Sequence, residues 1–94
     1  MIEVHDSFDS GQLVFTVRGH AGAAPKGEDL ICAAATILAR ALGETVKGDK
    51  YLRIQDGEFV LRCEPTAENM AYFDVIDNGF ELLAKQYPQF VKFF

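Results

Sequence analysis

The sequence predicts an α+β fold: a mixed or antiparallel sheet of about five strands with two helices packed on one face, in the order ββαββαβ. Three observations carry this. Two stretches repeat apolar residues at spacings of three and four, the period of a helix with one buried side. Shorter stretches rich in branched and aromatic residues, bounded by Gly, Asp and Ser, read as strands joined by turns. Hydrophobic residues make up 49% of the 94 and charged residues 24%, the balance of an ordinary globular domain. No repeat, linker or low-complexity tract divides the chain, so residues 1–94 read as one domain.

Ile2-Glu3-Val4-His5 alternates apolar and polar, a strand pattern that puts His5 on the solvent side. Asp9-Ser10-Gly11 is turn chemistry, and Leu13-Val14-Phe15-Thr16-Val17-Arg18 completes a hairpin. From Gly19 to Gly27 the chain carries small residues, glycine and proline and no large apolar anchor, which reads as a loop. Asp29 then serves as an N-cap, and Ile31, Ala35, Leu38, Leu42 and Val46 form the buried stripe of the first helix. Alanines at 33, 34, 39 and 41 favour that helix, and Gly43 is expected to end or loosen its last turn. Residues 47–50 are a surface turn, and residues 51–54 and 59–63 are strands around the tight-turn pair Asp56-Gly57. Thr66 caps the second helix, whose stripe is Phe73, Ile76, Phe80, Leu83 and Tyr87. Pro88 stops it, and residues 90–94 form a last short strand.

The formal net charge is −5. That sign argues against a dedicated nucleic-acid or anionic-membrane binder, which needs Lys and Arg to neutralise phosphate. The first residues have neither a basic nor an apolar leader segment, so no secretory signal is read. The apolar stretch 30–42 is too short to span a bilayer and contains Thr36 and Arg40. The two cysteines, Cys32 and Cys63, are therefore expected as thiols in a reducing cytoplasm.

The chemically informative segment is Gly19-His20-Ala21-Gly22 followed by Gly27-Glu28-Asp29-Leu30-Ile31-Cys32-Ala33-Ala34. It holds a histidine past a strand end, a glycine-rich loop and a cysteine in the first turn of a helix. Unsatisfied N–H groups and the helix dipole favour an anion there, so the thiolate, which is the nucleophile, is favoured. A histidine folded back within reach could hold that thiolate as an ion pair and later protonate a leaving amine. Exposed N–H groups at the helix start could hold an oxyanion.

Plainer readings stand beside this one. A cysteine on an apolar helix stripe is usually a small core residue, and a histidine before a glycine-rich loop is usually a surface turn residue. Asp29 can be a helix cap and nothing more. Cys63, ending an apolar strand, reads as buried. His5, His20, Cys32 and Cys63 lack the spacing of a zinc site, and the loop lacks a phosphate-binding fingerprint. No metal and no cofactor is expected.

The run of Gly19-His20-Ala21, a short gap, then Gly27-x-Asp29-Leu30-Ile31-Cys32-Ala33-Ala34 resembles the signature of the ribosomal-processing cysteine protease family, Prp. That signature is a G-H-A segment, then G-x-D-[IV]-[VI]-C-A-[AG], with a serine four residues after the cysteine. The resemblance implies a small α/β fold, a homodimer and a cytoplasmic endopeptidase. It implies a substrate too: the short apolar N-terminal extension of a basic ribosomal protein, number twenty-seven of the bacterial large subunit, cut after two phenylalanines. By resemblance Cys32 is the nucleophile and His20 the general base and acid, acting through a thioester. Asp29 orients the histidine or secures the helix end, and Gly19 is the glycine before the histidine. Thr36 stands where the family has serine; it keeps a hydroxyl and adds a methyl group. The residues at 23–26 differ from the family's common loop.

Two other classes remain open from the residues: a non-catalytic dimeric binding module that keeps the fold, and thiol redox chemistry, which lacks a C-x-x-C pair. The terminal Phe93-Phe94 echoes the family's cleavage motif. Either it packs as a final strand or it docks in a neighbour's substrate groove.

Overall fold

The computed structural model describes residues 1–20, 22 and 29–94. Its elements follow the expected order: β1 (Ile2–Asp9), β2 (Gln12–Arg18), α1 (Leu30–Thr45), β3 (Lys50–Gln55), β4 (Glu58–Cys63), α2 (Ala67–Gln86) and β5 (Val91–Phe93). The expected 21–28 loop lies, apart from Gly22, outside the described residues. The strands form one sheet in the order β3-β4-β2-β1-β5. β1, β2, β4 and β3 pair antiparallel, and β5 joins β1 in parallel. The sheet is therefore mixed.

Local chemistry explains the joints. Ser10 and Gly11 both take positive φ, 52° and 77°, between the paired residues Asp9 and Gln12. That is the two-residue turn whose twist matches a hairpin. Thr66 caps α2 by accepting a hydrogen bond from the Asn69 N–H. Pro88 lies just past α2, whose C-cap is Tyr87. No described helix is long and apolar enough to cross a membrane.

Alternate strand residues build one core with the two helices: Ile2 and Val4, Phe15 and Val17, Phe59, Leu61 and Cys63, and Val91. Phe15 is central, with the Phe73 and Phe80 rings at 5.6 and 5.5 Å. The helices also pack on each other. Asn69 is fully buried and was not foreseen. Its amide donates to the Lys47 and Glu64 carbonyls and accepts from the Lys47 N–H, satisfying the turn between α1 and β3.

Three sequence expectations change. Gly43 does not loosen α1; it is buried within the helix, facing Leu52 and Phe59, which a Cβ there would meet at ordinary contact distance. Ala39 joins the α1 stripe as buried, while Leu38 is half-buried against α2 at Gly79. Tyr87 is exposed because the helix ends there. His5 keeps the outer strand face expected of it, where it is half-buried by stacking on Phe94 with centroids 4.2 Å apart. Phe93 packs at the core edge, and the Phe94 N–H donates to the Val4 carbonyl. Both terminal aromatics are thus engaged within their own chain.

Candidate active site

α1 begins where Asp29 turns its carboxylate onto the helix. Asp29 Oδ1 accepts the Cys32 N–H at 3.0 Å, and the Asp29 carbonyl accepts the first helical N–H, from Ala33. The Asp29 carboxylate therefore caps the helix. Cys32 falls in the first turn and is half-buried. Thr36, one turn on, donates its hydroxyl to the Cys32 carbonyl at 2.8 Å. That bond directs the Thr36 hydrogen into the main chain beneath the thiol.

His20 is set by the other side of the cleft. Gly19, at φ 97°, donates its N–H to the Gly57 carbonyl at 2.9 Å. A Cβ at Gly19 would collide with the Met1 carbonyl, so the chain passes there only as glycine. The Met1 amino group donates to the His20 carbonyl at 2.6 Å. These bonds tie the end of β2 to the β3–β4 turn and to the start of β1. The imidazole lies against Gly57, where a Cβ would stand 2.7 Å from Nε2, and Nε2 is 3.8 Å from Asp56 Oδ1.

His20, Cys32, Gly19, Asp29 and Thr36 all line one cleft of about 800 Å³. Its apolar lining includes Ile2, Val17, Ala35, Ala39, Ile54 and Phe59. The five residues singled out in the sequence are thus brought to one place. Sequence reasoning missed the contribution of Asp56 and Gly57. Their Asp-Gly pairing signalled a tight turn, but nothing in the order of residues says that this turn lands beside the histidine.

The other sequence candidates go elsewhere. Cys63 is fully buried at the end of β4. Burial pushes its thiol pKa up, Glu64 adds to the rise and Lys50 opposes it. His5 faces the side of the sheet away from the helices. Among the described residues no group of three His, Cys, Asp or Glu side chains is placed to hold a metal ion.

Solved structures share this architecture. The ribosomal processing protease Prp from S. aureus, with a covalently linked product peptide, superposes with a TM-score of 0.82 at 19% identity over 99% of this chain and 97% of that one. The same protease with a substrate peptide gives 0.73 at 19% identity over 100% and 98%. SMU.848 from Streptococcus mutans gives 0.70 at 24% identity over 99% and 91%. No curated protein sequence matches the chain. At these identities the structures establish the fold. Residues 1–92 match the family described as cysteine protease Prp, and the chain belongs to that family.

Proposed function

We propose that this cysteine protease removes the apolar N-terminal extension of large-subunit ribosomal protein twenty-seven in the cytoplasm, with Cys32 as nucleophile and His20 as general base and acid. One observation carries the reading: the helix-start thiol and the imidazole line the same largely apolar cleft. The S. aureus relatives are described as ribosomal processing proteases and were captured with substrate and product peptides. An apolar extension with two phenylalanines suits walls made by Ile2, Val17, Ala35, Ala39 and Phe59.

In the proposed reaction the Cys32 thiolate attacks the scissile carbonyl and forms a tetrahedral oxyanion. His20 protonates the leaving amine, giving a thioester that water, deprotonated by His20, then hydrolyses. The Cys32 N–H is already bonded to Asp29, which narrows the helix-start oxyanion donors to the Leu30 and Ile31 N–H groups. The resemblance also carries a homodimer, for which light scattering would give twice the chain mass.

Incubating the chain with a peptide spanning the extension and its junction tests the reading. Mass spectrometry is expected to show one cut after Phe-Phe, lost in Cys32→Ser and slowed about 10²–10⁴-fold in His20→Ala. An intact peptide, or cleavage undiminished in Cys32→Ser, would overturn it.

A further inference from the structure

The cleft has a charge that the Cys-His pair does not use. Cys32, Thr36 and Arg40 succeed one another at spacings of four along α1, and all three line the cleft. At about 1.5 Å per residue, Arg40 stands roughly 12 Å from Cys32 along the helix. Among the described residues lining the cleft it is the only lysine or arginine.

Its electrostatic setting differs from that of the other arginines. Arg18 and Arg53 pair with Glu58 at 3.1 and 3.7 Å, and Arg62 pairs with Asp9 at 3.2 Å. No described carboxylate lies within 4.0 Å of the exposed Arg40 guanidinium. An exposed guanidinium on a cleft wall presents a planar set of donors that matches a carboxylate.

The packing of α1 says where along a substrate that carboxylate would sit. β2 and β3 each pair antiparallel with β4 and so run parallel to each other. α1 carries the chain from the end of β2 back to the start of β3, and Gly43 lies beside Leu52 of β3. The helix therefore runs antiparallel to the strand, with Cys32 and His20 at the turn end and Arg40 beside the strand's middle. In the proposed pose the leaving amine lies beside His20 at the turn end, and the acyl half runs along α1 toward Arg40. An extended chain advances about 3.3 Å per residue, which places Arg40 three to four residues before the scissile bond.

We infer that Arg40 is a specificity-determining residue that selects an acidic side chain three to four residues before the cut. The inference rests on the cleft being the peptide site. It is tested with fluorescent apolar peptides carrying Phe-Phe before the cut and Glu, Gln or Lys at the third or fourth position upstream. A control set carries the same changes downstream. Affinity is measured on Cys32→Ala, so the readout needs no turnover. The upstream Glu peptide is expected to bind about three- to fivefold more tightly than the Lys peptide, the range of a solvated ion pair. The preference is expected to shrink with salt and to reverse in the Arg40→Glu, Cys32→Ala double variant. Equal binding of Glu and Lys peptides, a preference that survives Arg40→Glu, or no peptide binding at all overturns it. Failure to cleave the ribosomal extension would instead count against the processing reading and leave this affinity ratio measurable.

Discussion

Cys32 and Cys63 carry the same side chain in opposite settings. Cys63 closes β4 inside the core, where burial raises its thiol pKa. Cys32 sits half-exposed in the first turn of α1, on a cleft wall that includes an imidazole. Two carboxylates repeat the contrast. Asp29 receives an N–H at a helix start, where negative charge is favoured. Asp77, mid-helix in α2, lies close to Asp6 of β1, and its Oδ1 is buried with no hydrogen-bond partner among the described residues. Burial first, then the neighbouring Asp6 carboxyl and the charges of Asp74 and Glu81, push the Asp77 carboxyl up to about 8. Place in the fold, rather than residue type, decides which groups are fit to react.

The sharpest way to break the cysteine contrast is exchange. Cys32→Ser is expected to lose peptide cleavage with little change in stability. Cys63→Ala is expected to keep cleavage and to lose about 1–2 kcal/mol in urea denaturation, from the cavity it leaves. Iodoacetamide at pH 6 is expected to label Cys32 in the folded protein and to reach Cys63 only after unfolding. The reverse order would dissolve the comparison.

The two glycines that hold His20 sharpen it next. Gly19→Ala drives a Cβ into the Met1 carbonyl at a φ of 97°, and backbone cannot rotate aside. A loss of about 2–3 kcal/mol is expected, with the cleavage rate falling as His20 shifts. Gly57→Ala meets only the movable His20 ring. It is expected to cost about 1 kcal/mol of stability, yet to reduce kcat more than that cost suggests. Equal effects of the two substitutions on stability would contradict the close approach seen at Gly19.

The carboxylates extend the comparison to charge. Asp29→Ala removes a cap, about 1 kcal/mol by thermal unfolding. For Asp77 the folded pKa lies above the unfolded value of 3.8, so the folded state binds the extra proton between about pH 4 and 8. Stability from this group is full below that window and is lost as pH rises through it. Tm is thus expected to fall from pH 4 to 8 in the wild type and to fall less in Asp77→Asn. Identical slopes would show that the Asp6–Asp77 contact does not carry the pH dependence.

The cap at Asp29, the cap at Thr66, the Asp56-Gly57 turn and the stop at Pro88 were legible because each is a short-range rule between neighbouring residues. The same holds for the Gly-His and Asp-x-x-Cys elements of the site. Gly43 misled because a glycine in a helical pattern reads as a break, whereas this one is buried inside the helix, facing Leu52 and Phe59. Asn69 was missed because its partners, Lys47 and Glu64, belong to segments outside its own helix pattern. Arg40 shows the same limit: its spacing from Cys32 is visible in the chain, but its place on a cleft wall without a described carboxylate partner is not.

By itself the sequence determined the element order and pointed to a histidine and a helix-start cysteine as the proposed reacting pair, since period, caps and turns act over a few residues. Only the tertiary structure decided that β5 closes the sheet beside β1, that the β3–β4 turn seats His20, and that the starts of β1 and α1 meet at one cleft. Those are contacts between segments far apart in the chain, set by how the apolar faces pack together, and no local pattern encodes them.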